Sequence, residues 1–261
     1  MPAHTRGGSP VRSDIARATP STVHVHGLDL VDMLGTVSLG DFAYLELFRR
    51  LPDKSESVLF NAIVVALVEH GLTPSALTAR LTALGAPESL QGAVAAGLLG
   101  LGNTFVGTIE GAARICQTYI PADAGRLDDR GIQALAERIA DDFASDGQPI
   151  PGLGHPVHKP VDPRAQKLFA ITREQGFDDT PIRLMEELSR ISSERRGWLL
   201  PVNVTGAIGA ISTVLGLPWD VARGLGVMAR AIGLVGHLLE ERQQPLAASV
   251  WTRAERESSE Q

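Results

Sequence analysis

The stretch from Gly147 to Pro163 holds five prolines and three glycines in seventeen residues. It constrains this chain more than any other segment, because a continuous helix cannot pass through it. On both sides the apolar spacing is helical. Candidate helices cover about 40–51, 55–70, 73–84, 88–101, 104–120, 129–145, 163–175, 181–195, 205–215 and 219–242. Breaks fall at Leu51-Pro52-Asp53, Gly85-Ala86-Pro87 and Leu217-Pro218. Only Val23-His24-Val25-His26-Gly27 alternates like a short strand. The expected fold is therefore mostly α, and the proline-rich stretch is either a connector or a structured loop. Ile150, Leu153, Val157 and Val161 give it apolar anchors that a flexible linker does not need, which favours an ordered loop.

Bulk properties narrow the function. With 24 basic against 30 acidic residues the net charge is −6, and no run of Lys or Arg offers a surface to nucleic acid or an anionic membrane. An anionic ligand must be held by local groups. The single cysteine, Cys116, lies in an apolar helical pattern and reads as a buried thiol in a reducing, cytoplasmic setting. Residues 1–20 have no apolar signal core and read as a flexible N-terminal arm, and the polar tail 253–261 as a fraying end. His24, His26, His158 and His237 have no Cys or carboxylate at ligand spacing, so no metal site is expected. Gly100-Leu101-Gly102-Asn103 lacks the lysine and strand context of a nucleotide loop and reads as a turn between helices.

Chemistry concentrates in the loop. In Gly152-Leu153-Gly154-His155-Pro156 the glycines open backbone conformations closed to other residues, and the prolines on either side limit the turn. His155 so held could donate to a carbonyl oxygen that gains charge, or could merely satisfy backbone groups. Asp162-Pro163-Arg164 reads as a helix start, with Asp162 as N-cap and Pro163 in the first position. Arg164 opposes the helix dipole there, which suits an anion site made of the guanidinium and the free N–H groups, or costs a little on an exposed surface.

Together these motifs resemble the citrate synthase family. Residues 151–168, PGLGHPVHKPVDPRAQKL, are similar to its Gly-X-Gly-His turn followed by Asp-Pro-Arg. Pro201-Val202-Asn203-Val204-Thr205-Gly206 resembles its Asn-Val-Asp segment, and Ala229-Arg230-Ala231-Ile232-Gly233-Leu234-Val235-Gly236-His237 its Arg-X-X-Gly helix. Glu69-His70-Gly71 with Thr73-Pro74-Ser75 is similar to its histidine-bearing loop, and Gly102-Asn103-Thr104-Phe105-Val106-Gly107 to its Gly-Gly-Pro-Leu-His-Gly segment. The likeness spans about 22–245, and the chain length is closer to the short citryl-CoA lyase forms.

The resemblance implies two helical domains, a large one of 21–107 and 206–261 and a small one of 108–205, with the site in the cleft. It implies a homodimer, for which helices 88–101 and 205–215 are candidate interfaces. The reaction implied makes or breaks a carbon–carbon bond between an acyl-CoA, acetyl-CoA in the first place, and a 2-oxo acid such as oxaloacetate. No permanent cofactor is implied, the CoA thioester being substrate. His70, Arg164 and Arg230 would bind carboxylates, with Arg242 as a further candidate, and His155 would bond the reacting oxygen.

Two positions depart from the family pattern. Val106 stands where the family has a histidine, and Thr205 where it has an aspartate base. Valine has no polar atom, and a threonine hydroxyl is far too weak a base for the proton beside a thioester. Glu110, one helical turn beyond Val106, is the first candidate for a substitute carboxylate, or else a surface partner of Arg114. Asn103 and Thr104 could donate to a thioester oxygen. The departures also admit a non-catalytic binding or sensor protein, and Val106 a lyase for another hydroxyacyl-CoA.

Overall fold

A computed structural model describes residues 12–122, 125–155 and 159–259. Residues 1–11 of the expected arm, the loop residues Pro156, Val157 and His158, and the tail residues Glu260 and Gln261 lie outside them. The chain forms two compact units, Met1–Asn61 and Ala62–Gln261.

The first unit begins with a three-stranded antiparallel sheet, β1 (Ala16–Ala18), β2 (Val23–Val25) and β3 (Leu28–Asp29), in that order. The arm expected through residue 20 thus contains a strand, with Ala16 paired to Val25 and Ala18 to Val23. Three small or polar residues gave no alternating apolar signal, and pairing alone decides their state. Between β2 and β3 the two-residue loop His26-Gly27 has φ of 48° and 85°, as a tight hairpin turn requires. Short helix α1 (Leu30–Met33) and helix α2 (Leu39–Phe48) follow, and Val25, Met33 and Leu45 form a core with Leu30, Val37 and Phe42.

Helix α3 (Lys54–Val68) starts with a reciprocal cap. Asp53 Oδ1 accepts from Glu56 N–H at 2.9 Å, and Glu56 Oε2 accepts from Asp53 N–H at 2.9 Å. Arg50 clamps the same carboxylate through Nη1 and Nη2 at 2.7 and 2.6 Å. The Arg50 bonds first, then the Asp53 and Tyr44 donors, outweigh burial and lower the Glu56 pKa from its ordinary 4.5 to about 2. A depressed carboxylate pKa contributes stability that is present above pH 4.5 and is lost as pH falls toward 2. Glu56→Gln should therefore lower the melting temperature at pH 6, with the difference from wild type shrinking through this window in an acid thermal series.

The second unit contains α4 (Pro74–Gly85), α5 (Leu90–Leu99), α6 (Gly107–Tyr119), α7 (Asp129–Ser145), α8 (Pro163–Glu174), α9 (Thr180–Arg196), α10 (Val204–Val214), α11 (Arg223–Gln243) and α12 (Ala247–Ser259). Helix α10 is central, packed against α6, α8 and α9, with Val204 and every residue from Gly206 to Ser212 buried. A Cβ on Gly209 would stand 2.6 Å from Ile109 O and 2.7 Å from Ala113 N, so glycine there lets α6 close onto α10. Within the segment 205–215 expected at a dimer interface, Gly206–Ser212 are thus covered by the chain itself, while Val214 and Leu215 stay half-buried. In the same unit α4, α5 and α11 share a core of Ala76, Ala79, Ala93, Leu234 and Leu238. The division into compact units falls at Asn61, so residues 108–205 and 206–261 belong to one unit.

The tail expected to fray from 253 is helical through Ser259. Its start is held by Glu241 Oε1, which accepts from Leu246 N and Ala247 N at 2.9 Å each, and Arg253 pairs with Glu257 one turn on. Trp219–Gln243 is long and apolar enough to cross a membrane by length and composition. Half of its apolar window is buried against the rest of the chain and it carries Arg230, His237, Glu240 and Glu241, as a core helix does.

Candidate functional site

The site is built where the proline-rich loop meets the start of α10. Gly152 and Gly154 adopt φ of 85° and 82°, a region costly for residues with a Cβ. Leu153 forms an antiparallel bridge with Val202, Gly154 N–H donates to Pro201 O at 2.7 Å, and Asn203 N–H donates to Gly152 O at 3.0 Å. Asn203 adds Nδ2 to Gly154 O at 2.8 Å while its Oδ1 caps α10 through Gly206 N. The described part of the stretch is thus an ordered loop. Of the expected anchors Ile150 and Leu153 are half-buried, Val161 is exposed, and Val157 lies outside the described residues.

Asp162 does more than cap α8. Fully buried, it accepts from Arg164 N at 3.0 Å and from Val204 N at 3.0 Å, joining the first turns of α8 and α10. It also holds the Arg164 guanidinium through Nε at 3.1 Å and Nη2 at 2.9 Å. Burial works to raise its pKa, but these donors prevail and hold the carboxyl below the usual range. Arg164, whose place at a helix start is unfavourable by itself, is thereby supported and held in one orientation. Its Nη2 lies 3.5 Å from His155 Nε2.

A cavity of about 490 Å³ opens onto these groups. It brings together five residues singled out from the sequence: His70 after α3, His155, Arg164, Thr205 and Arg230. The His70 and His155 rings stand 6.1 Å apart, centre to centre. Arg230 is nine-tenths buried, and its Nη1 has no hydrogen-bond partner among the described residues, the Glu69 carboxylate being 3.8 Å away. Burial pushes its pKa below the ordinary value, with Glu69 offsetting only in part. A desolvated guanidinium in a cavity is a site for an anion.

Thr205 donates to Asn203 Oδ1 at 2.6 Å and accepts from Thr108 at 2.8 Å, so its hydroxyl belongs to a chain that fixes the cap of α10. Val106 is buried on the apolar wall, and Thr104 also lines the cavity.

Three expected residues fall elsewhere. Glu110 is not part of the lining: its Oε2 pairs with Arg223 Nε at 2.8 Å, while Arg114 stacks over Trp219 and is not its partner. Asn103 Oδ1 is taken by Arg223 Nη2 at 2.7 Å and also lies outside the lining. Arg242 is exposed beside a separate cavity with Pro87 and Leu90; twelve residues along α11 from Arg230 is about 18 Å, too far for one small ligand.

Among the described residues, therefore, no carboxylate lines the main cavity, and no group of three His, Cys, Asp or Glu side chains is placed to hold a metal ion. Cys116, fully buried, has its thiol pushed up to about 12 by burial and is inert at neutral pH. The bridging role of Asp162 and the contacts of Glu69 are not legible in the sequence. Both were in quoted motifs, but their partners are distant in sequence.

A family model for the citrate synthase C-terminal domain matches residues 15–251. Citryl-CoA lyase from Hydrogenobacter thermophilus superposes with a TM-score of 0.78 at 31% identity, covering 88% of this chain and 86% of that one. ATP citrate lyase from Methanothrix soehngenii, in complex with citrate and coenzyme A, superposes at 0.76 with 23% identity over 92% of this chain and 40% of that one, a likeness of fold alone. A putative citrate synthase 2 of Mycobacterium tuberculosis is 24% identical over 217 residues, 82% of this chain and 54% of that protein. A probable ATP-citrate synthase of Dictyostelium discoideum is 25% identical over 224 residues, 79% of this chain and 34% of that protein. The chain thus spans between a third and about half of these two curated relatives.

Proposed function

Since this chain belongs to the citrate synthase family, we propose that it makes or cleaves a carbon–carbon bond between an acyl-CoA, acetyl-CoA in the first instance, and a 2-oxo acid such as oxaloacetate. The cleavage direction, on citryl-CoA, is favoured by the similarity to citryl-CoA lyase over nearly the full length of both chains. The observation that carries the reading is Arg230: buried, with no hydrogen bond at Nη1 among the described residues, and in one cavity with Arg164, His70 and His155. Two guanidinium groups and two imidazoles suit a polycarboxylate better than a neutral ligand. CoA is substrate here, and no permanently bound cofactor is part of the proposal. Homodimerisation, if it uses α5, would cover the exposed Leu90 and Leu99.

In cleavage, the tertiary hydroxyl loses its proton, the carbon–carbon bond breaks to give the oxo acid and the thioester enolate, and the enolate carbon takes a proton. Glu110 pairs with Arg223 and lies outside the cavity lining, so it is assigned neither transfer here. His70 and His155 are the described lining imidazoles, a side-chain type that can both take and give a proton, and His155 on its rigid loop is assigned the reacting oxygen. Chromatography of CoA species after incubation with citryl-CoA, and with acetyl-CoA plus oxaloacetate, tests this. Turnover is expected, with kcat reduced about 100-fold in His155→Ala; unchanged activity in that variant removes His155 from the mechanism.

A second reading has its own support, since the cavity carries Val106 and Thr205 and no described carboxylate. A protein that binds citrate by calorimetry yet yields no CoA product at high concentration over long incubation is a binding module.

A further inference from the structure

We infer that Glu69 and His237 form a positioning pair for the cavity, oriented from behind by the buried Arg80. Glu69 follows the last residue of α3. Its Oε1 accepts from the backbone N–H of His70 at 2.8 Å and of Gly71 at 2.6 Å, and from His237 Nε2 at 3.1 Å. The same oxygen lies 3.8 Å from Arg230 Nη1. One carboxylate oxygen therefore touches the turn that carries His70 and stands beside the guanidinium that faces the ligand.

The His237 tautomer follows from its other side. Arg80, 1% exposed, approaches His237 Nδ1 with Nη2 at 3.0 Å and Nε at 3.3 Å. Arginine only donates, so Nδ1 accepts and the imidazole proton sits on Nε2, directed at Glu69. Arg80 is itself held by Glu241 through Nη1 at 2.9 Å and by Glu240 through Nη2. The order of support runs from Glu240 and Glu241 through Arg80 and His237 to Glu69, and from there to His70 and Arg230.

Packing fixes the spacing. A Cβ on Gly233 would lie 2.0 Å from Val68 O, so α11 runs directly against the end of α3 midway between Arg230 and His237. The Glu69 side chain is half-exposed, and burial alone would not hold it in one rotamer. The His237 bond supplies that restraint, as hydrogen bonds behind a binding group commonly do.

Affinity readouts in the test rest on the carboxylate reading of the cavity; the exchange readout does not. Calorimetric titration with citrate should show about tenfold weaker binding in Glu69→Ala and in His237→Leu. His237→Gln, which offers an amide oxygen to Arg80 and an amide N–H to Glu69, should restore affinity to within about threefold of wild type. Hydrogen exchange at the His70 and Gly71 amides should be about tenfold faster in Glu69→Ala and His237→Leu, and near wild type in His237→Gln. Should His237→Leu fail to fold, Glu69→Ala, which leaves Arg80 and its partners in place, decides. Equal citrate affinity and equal exchange in wild type and Glu69→Ala overturn the inference. Wild-type protein that does not bind citrate overturns the carboxylate reading instead, and the two amides then decide the pair alone: accelerated exchange supports it and unchanged exchange overturns it.

Discussion

Replacing Arg230 with Met is expected to weaken citrate binding about 100-fold while leaving the melting temperature of the ligand-free protein unchanged or slightly higher. The two effects have one cause. Arg230 holds a guanidinium nine-tenths buried, with no hydrogen bond at Nη1 among the described residues and with its pKa pushed down by burial that Glu69 offsets only in part, so the cation costs the empty protein free energy. A bound carboxylate recovers that cost through charged hydrogen bonds, and losing them costs about 3 kcal/mol, or about two powers of ten in affinity. Methionine keeps the length and apolar contacts of the stem, which separates charge from packing. Calorimetry with citrate and a thermal melt without ligand read the two halves. An affinity within threefold of wild type would place the carboxylate elsewhere.

Gly206→Ala is expected to destabilise the chain by about 3 kcal/mol and to disturb the site as well. An added Cβ would lie 2.4 Å from Gly152 O and 2.9 Å from Gly152 C and Cα. These are backbone atoms, so no rotamer change relieves the clash. Gly152 cannot yield easily either: its φ is 85° and its own added Cβ would meet Gly206 Cα at 2.5 Å. The loop must move away from α10, which strains the bonds from Asn203 N to Gly152 O and from Gly154 N to Pro201 O. His155, three residues beyond Gly152, moves with it. For a chain of this size the melting temperature should fall by about 6–12 °C. Gly236→Ala is the control, since its Cβ meets nothing within 4 Å on the exposed side of α11, and it should be neutral or stabilising. Equal melting temperatures for the two variants would mean that the glycine-to-glycine contact is not tight in solution.

The helices were legible where apolar periodicity was strong, and they failed to be where it was weak. The polar sequence from 253 onward predicts a fraying tail, yet α12 runs on to Ser259, its start held by Glu241 and its last turns by the Arg253–Glu257 pair. Strand β1 was read as part of an arm because Ala16–Ala18 has no alternation of its own. In the site, His155 and the Asp162 cap were readable because turn and cap chemistry act over a few residues. Grouping His70, Arg164, Thr205 and Arg230 needed the family resemblance, since no local pattern relates them. Glu110 was misplaced because one-turn spacing from Val106 gives its face on α6 but not the Arg223 side chain that meets it.

What the sequence by itself determined is therefore local and ordered by position: mostly helical segments, a rigid Gly-X-Gly-His turn, a proline-started helix with Asp162 at its cap, and a family. What only the tertiary structure decided is pairing. Asp162 reaches Val204 across 42 positions and Glu69 reaches His237 across 168. Backbone preferences fix a residue's conformation within a turn or two, whereas the partner of a charged side chain depends on which helices pack face to face. That same packing decides what the Gly152 loop can present, because the loop takes its shape from the start of α10 and not from its own residues alone.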